Sequence, residues 1–130
     1  MPKSKTKKLK DKLWKLVSEY IRRSHADSNG YVACYTCGHT RLWNDTMQAG
    51  HAIGGRRNSV LFDLELLRPQ CRACNCWRQG EQYIFAKKLD EEHYPGWFEE
   101  RLDESRKTKK YYDSDYEDMI ESIQGMLEEL

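Results

Sequence analysis

The sequence predicts an α+β fold, a small metal-stapled core of short strands with helices before and after it. Three observations predict it. Apolar residues recur at helical spacing near both ends of the chain, and the stretch between them breaks into short β-prone pieces separated by glycines. That middle stretch also holds two C-x2-C pairs, Cys34 with Cys37 and Cys71 with Cys74.

The first element is a basic helix. Leu9, Leu13, Leu16, Val17, Tyr20 and Ile21 recur at three-to-four spacing, and the helix is expected to end before the Ser28-Asn29-Gly30 turn. Residues 1–28 are therefore read as a basic arm and helix, with nine Lys or Arg in residues 1–25 against Asp11 and Glu19. Such a face suits a phosphate backbone, and it equally suits a solvated helix packed on its own domain.

Residues 29–102 form the central domain in this reading. "YVACYTC" and "TMQAGHAI" are too short for helices and are read as strands, with a second strand expected in "LFDLELL". After Cys74 the pattern turns helical through Tyr83, Ile84, Ala86, Lys87 and Leu89, and a short helix follows Pro95 through Trp97, Phe98 and Leu102. Residues 103–113 read as a polar, mobile linker. In residues 114–130, Ser114 and Glu117 suggest a capping box, and Met119, Ile120, Ile123, Met126, Leu127 and Leu130 make one apolar stripe. That stripe must be buried, either on its own domain or on a partner subunit.

Composition narrows the classes. Of 130 residues, 38% are apolar and 33% charged, so the core is modest and a staple is expected. The net charge of +1 hides a polarity, since residues 114–130 hold six acids and no Lys or Arg. No run approaches the roughly 18 apolar residues of a membrane helix, and no secretion signal is recognisable. An intracellular, cytoplasmic protein with no membrane partner is expected.

Two residues between cysteines let a tight turn aim both sulfurs at one ion, and four thiolates close a tetrahedral zinc shell. Cys34, Cys37, Cys71 and Cys74 are therefore expected to hold a structural Zn2+ that couples metal binding to folding. Cys76 lacks such a partner and reads as a small buried side chain. His51 ends a short strand before Gly54-Gly55 and two arginines; a His in that place is either a structural residue or an imidazole beside a phosphate-friendly loop. His25, His39 and His93 show no metal spacing, although His39 is near enough to Cys37 to compete as a ligand or touch DNA.

The order C-x2-C, then Gly50-His51, then a second C-x2-C followed by Asn75 resembles the HNH, or His-metal finger, endonucleases. More closely, "KLWKLVSEYIRR", "NGYVACYTCG", "QAGHAIGGRR" and "FDLELLRPQCRACN" followed by "QG" look like the phage recombination family NinG, also called Rap, over about Leu9 to Leu102. The knuckle order is also similar to that of recombination endonuclease VII. The resemblance implies a ββα-metal core and a metal-dependent, structure-selective DNA endonuclease that cuts branched recombination intermediates of Holliday-junction or D-loop type. It implies His51 as the general base and Asn75 as an oxygen ligand of a catalytic Mg2+ or Mn2+, a hard ion that a thiolate does not suit. It also implies a phage protein working in a bacterial host, with no small-molecule cofactor. Symmetric resolution needs two active sites, so a homodimer is expected, with the amphipathic ends as its contacts.

The sequence departs from the HNH pattern at two places. Gly50 stands where many such enzymes place an acidic or His metal ligand, and Leu66 and Leu67 occupy the neighbourhood of the central Asn. Asp63 is the first candidate for the missing ligand, with Asp45 and Gln48 behind it. Arg56, Arg57, Arg68, Arg72 and Arg78 are candidate phosphate contacts, because guanidinium forks onto phosphate oxygens. Trp14, Trp43 and Trp77 read as packing residues. Two other classes remain open, a non-catalytic zinc-stabilised DNA-binding recombination accessory protein and a protein-interaction adaptor using the acidic terminal helix.

Overall fold

The computed structural model describes residues 2–55 and 57–130. Helix α1 (Lys5–Ser24) starts where Ser4 Oγ accepts a hydrogen bond from Lys7 N at 3.1 Å. Its buried side is Leu13, Val17 and Ile21, an i, i+4, i+8 row. Two antiparallel ribbons follow, β1 (Tyr31–Ala33) with β2 (Thr40–Leu42), and β3 (Gln48–His51) with β4 (Leu67–Gln70). Between β3 and β4 lie a single helical turn, α2 (Asn58–Leu61), and a 3-10 turn (Leu64–Leu66). Helices α3 (Gln82–Glu92), α4 (Trp97–Ser105) and α5 (Asp113–Glu128) complete the chain.

The β3–β4 ribbon divides the protein into two apolar cores. Its register pairs His51 with Leu67, Ala49 with Pro69, Gly50 with Arg68 and Gln48 with Gln70. Residues directly opposite share a face, and neighbours along a strand alternate. One face therefore carries Ala49 and Leu67 into a core with Leu13, Val17 and Ile21 of α1 and Tyr116, Ile120 and Ile123 of α5. The second core gathers Ala52, Ile53, Val60, Leu66, Phe85, Leu89 and Trp97.

The terminal helix lies on its own chain. The Thr6 hydroxyl donates to Asp113 Oδ1 at 2.6 Å, Lys5 meets Glu117 at 3.3 Å, and Leu130 lines a hollow with Arg23 and Ser24, so α5 runs parallel to α1. The acidic end of the sequence thus folds beside its basic end. That exposed ion pair and hydrogen bond contribute little, whereas burying Tyr116, Ile120 and Ile123 contributes roughly 2 kcal/mol each. The amphipathic ends, expected as contacts between subunits, pack on each other within the chain.

Three local expectations change. Helix α5 begins two residues before the expected box, with Asp115 Oδ2 accepting from Tyr112 N at 2.7 Å, because an acid at that spacing satisfies the first exposed N–H. The second strand is Leu67–Gln70 and not "LFDLELL", since the Asp63 carboxylate accepts from Glu65 N at 3.1 Å and starts the 3-10 turn there. A two-stranded ribbon tolerates Pro69 at its outer edge, where Pro69 O accepts from Tyr35 N at 2.8 Å. The helix expected straight after the second cysteine pair is divided into a π-helical turn (Ala73–Trp77) and α3, separated by Gln79, Gly80 and Glu81 at φ of 53°, 80° and 48°. Three successive left-handed residues cannot continue a right-handed helix.

Gly50 explains one departure from the HNH pattern. A Cβ there would lie 1.8 Å from Gln70 Oε1, because the Gln70 side chain crosses over it. Gln70 is fully buried and cannot step aside cheaply, since its Nε2 donates to Gly80 O at 2.8 Å and to Thr36 Oγ1 at 3.1 Å. Gly50→Ala is expected to destabilise the protein by about 1–3 kcal/mol in thermal melts. Combining it with Gln70→Ala should cost less than the sum of the two single changes, and strict additivity would show that the two side chains do not compete for the same space.

Candidate metal centre and the residues around it

Each cysteine pair starts at a strand end. Cys34 follows β1, where Cys34 N donates to His39 O and Gly38 N donates to Cys34 O, both at 2.8 Å, and Gly38 takes φ of 80° to close the turn. Cys71 follows β4, and Asn75 N donates to Cys71 O at 3.0 Å to form the second turn. Tyr35 N donates to Pro69 O at 2.8 Å and ties the two turns together. The four sulfurs lie within 4.8 Å of one another, with Cys37 Sγ and Cys71 Sγ 3.7 Å apart. Tetrahedral ligands about 2.3 Å from a zinc ion stand roughly 3.8 Å apart, so the set fits that ion.

The protonation of the cluster also asks for a cation. Burial pushes the Cys34 thiol up, but backbone N–H groups of Cys71, Cys37 and Thr36 and the Thr36 hydroxyl outweigh it and bring it down to about 6. Burial raises Cys74 to about 12, and the neighbouring thiols of Cys71, Cys37 and Cys34 add to it against the Thr36 hydroxyl. One thiolate is therefore favoured while crowding opposes the next. A bound dication reverses that balance and charges all four.

Asn75 sits on the π-helical turn just past Cys74, and its Nδ2 donates to Gln48 Oε1 at 2.7 Å. Gln48 was a remote candidate in the sequence; the fold makes it the residue that orients Asn75. Cys76, expected to be buried, is exposed, with its Sγ 3.4 Å from the same Gln48 oxygen. The knuckle turn points it outward.

His51 shares the ribbon face of Ala49 and Leu67. Its ring stacks on Trp14 of α1, centroids 4.9 Å apart and planes 18° from parallel, and its Nε2 is 3.0 Å from Leu61 O.

Asp63 pairs with Arg101, which also reaches Glu65 at 3.5 Å, and Asp45 is exposed in a turn. Of the five arginines, Arg56 lies outside the described residues. Arg68 is turned inward, its side chain 11% exposed, donating to Glu92 at 2.8 Å and lying 5.5 Å over the Tyr35 ring. Arg57, Arg72 and Arg78 face solvent. His25 Nδ1 is 2.8 Å from Ile21 O, His93 stacks on Trp97, and the His39 side chain is exposed. Gln70, which ties the first cysteine turn and Gly80 to the ribbon, carried no signal in the sequence.

Two short ribbons, flanking helices and a four-cysteine centre define a small α+β protein with a candidate structural metal site. The chain belongs to the NinG family, described as that of the bacteriophage lambda NinG protein, whose model matches residues 2–130. No curated protein and no solved structure matches the chain. No helix among the described residues is long and apolar enough to cross a membrane.

Proposed function

We propose that this protein is a metal-dependent, structure-selective DNA endonuclease acting on branched recombination intermediates. The observation that carries the reading is the setting of His51 at the end of β3. A backbone carbonyl only accepts, so in the neutral ring Nε2 bears the proton for Leu61 O. Such a ring can take a proton from water near pH 7. Stacking on Trp14 holds its plane. Membership of the NinG family supports the substrate class, which the resemblance describes as branched recombination DNA.

Other residues take supporting roles in this reading. Gln48 holds the Asn75 Nδ2, which turns the Oδ1 of Asn75 the other way as the candidate oxygen ligand. A hard divalent cation held there would neutralise charge developing on the phosphate and the leaving oxygen. Asp63 can join it only by leaving Arg101. Arg57, Arg72 and Arg78 are the exposed phosphate partners. Paired cuts call for a homodimer, on a surface other than the α5 stripe that α1 already covers.

A second reading, a zinc-stabilised DNA-binding accessory protein without catalysis, draws on the Gln70 side chain over Gly50 and the Arg101 pair at Asp63. Both occupy places where an additional metal ligand was expected. The zinc-loaded protein should nick four-way junctions or D-loops when Mg2+ or Mn2+ is added and leave linear duplex largely intact. Binding to branched DNA with no cutting in either metal would establish the accessory reading in its place.

A further inference from the structure

Trp77 ends the π-helical turn that carries Cys74 and Asn75, yet it is 71% exposed, whereas Trp97 is 6% exposed. The sequence reading made it a packing residue, and the fold leaves its indole in water. A single exposed aromatic ring is ordinary on a protein surface, so it is the charge beside this one that gives it meaning.

Its neighbours say what kind of surface. The Arg72 guanidinium lies 5.7 Å over the Trp77 ring, and Arg78, the next residue along the chain, is exposed. Arg78 is only loosely held, 3.9 Å from Glu81 and 3.9 Å from the Cys74 sulfur. An exposed aromatic ring with one guanidinium over it and a second arginine next to it in the chain complements a nucleotide, because a base offers a π-face and its phosphate an anion. An apolar protein partner would match the ring but not the cationic side chains beside it. π-helical turns of this kind also recur at functional sites.

We propose that Trp77, with Arg72 and Arg78, is a stacking platform for an exposed base of branched DNA. In plain duplex every base face is covered by its neighbour, so the indole has nothing to stack on. At a branch point or flap, base faces are uncovered, and the platform favours those structures. The inference rests on the DNA reading but not on cleavage.

The test uses the zinc-loaded protein without Mg2+ or Mn2+, a four-way junction carrying 2-aminopurine at the crossover, and a matched duplex. Binding should quench the 2-aminopurine emission by stacking. Trp77→Ala should remove that quench and weaken junction binding roughly tenfold, with a far smaller effect on duplex, and Trp77→Phe should restore most of both. The side chain is exposed, so these changes should leave the melt unaltered. Junction binding and quenching equal to wild type in Trp77→Ala, or equal losses on junction and duplex, would overturn the platform. A wild type that binds neither DNA would overturn it together with the DNA reading. Intact platform behaviour in a protein that never cuts would remove the endonuclease reading alone.

Discussion

Stripping the metal from the four-cysteine centre is expected to unfold the central part of the protein and not merely loosen it. The reason is where the sulfurs sit. Cys34 and Cys74 are buried, and the two turns they anchor bring together β1 and β4, with Gln70 and Pro69 bonded directly to the first turn. Without the ion, four crowded thiols remain in contact with nothing to hold them. A structural zinc site is worth roughly 10–16 kcal/mol at neutral pH, while whole domains are stable by about 5–15 kcal/mol. The two quantities are of similar size, so losing the ion removes most or all of the stability. Chelator-treated protein, its zinc content measured at zero, should lose its cooperative thermal transition, and Cys71→Ser should behave the same way. The α1–α5 pair would keep some helical signal, so near-ultraviolet circular dichroism is the better reading. A metal-free protein that melts like the loaded one would show that these sulfurs are ordinary core thiols.

The other large effect is expected at His51. If its imidazole accepts the proton of the attacking water, His51→Ala removes a contribution of about 10²–10⁴-fold in the chemical step. Single-turnover cleavage of a junction should fall by that factor, while junction affinity and zinc content stay near wild type. The ring also packs on Trp14, so its loss should lower stability by about 1–2 kcal/mol, which a melt measures separately. Trp14→Ala discriminates further: it disturbs the stack but leaves the bond to Leu61 O, and should reduce cleavage far less than His51→Ala. Cleavage that survives His51→Ala in folded protein would assign the base to another residue.

Much of the architecture was legible along the chain because it depends on local chemistry. The C-x2-C spacing brings two sulfurs to one point whatever surrounds them, and a row such as Leu13, Val17 and Ile21 buries one side of any helix. The paired turns and α1 followed from that. Pro69 inside a strand and the 3-10 turn at Asp63 were hidden, because a ribbon edge and a single side-chain cap overrode the propensity of "LFDLELL".

The candidate site divides in the same way. The sequence by itself determined which four sulfurs can hold a metal and put His51 at a strand end. Only the tertiary structure decided the company each residue keeps. It set His51 against Trp14 and Asn75 against Gln48, turned Arg68 inward to Glu92, and left Trp77 in solvent. It also folded the acidic helix alongside the basic one, so that the charge polarity seen along the chain becomes partial neutralisation in space. Spacing can fix what neighbours along a turn must share, but which face of a ribbon meets which helix depends on segments dozens of residues apart competing to bury the same apolar area.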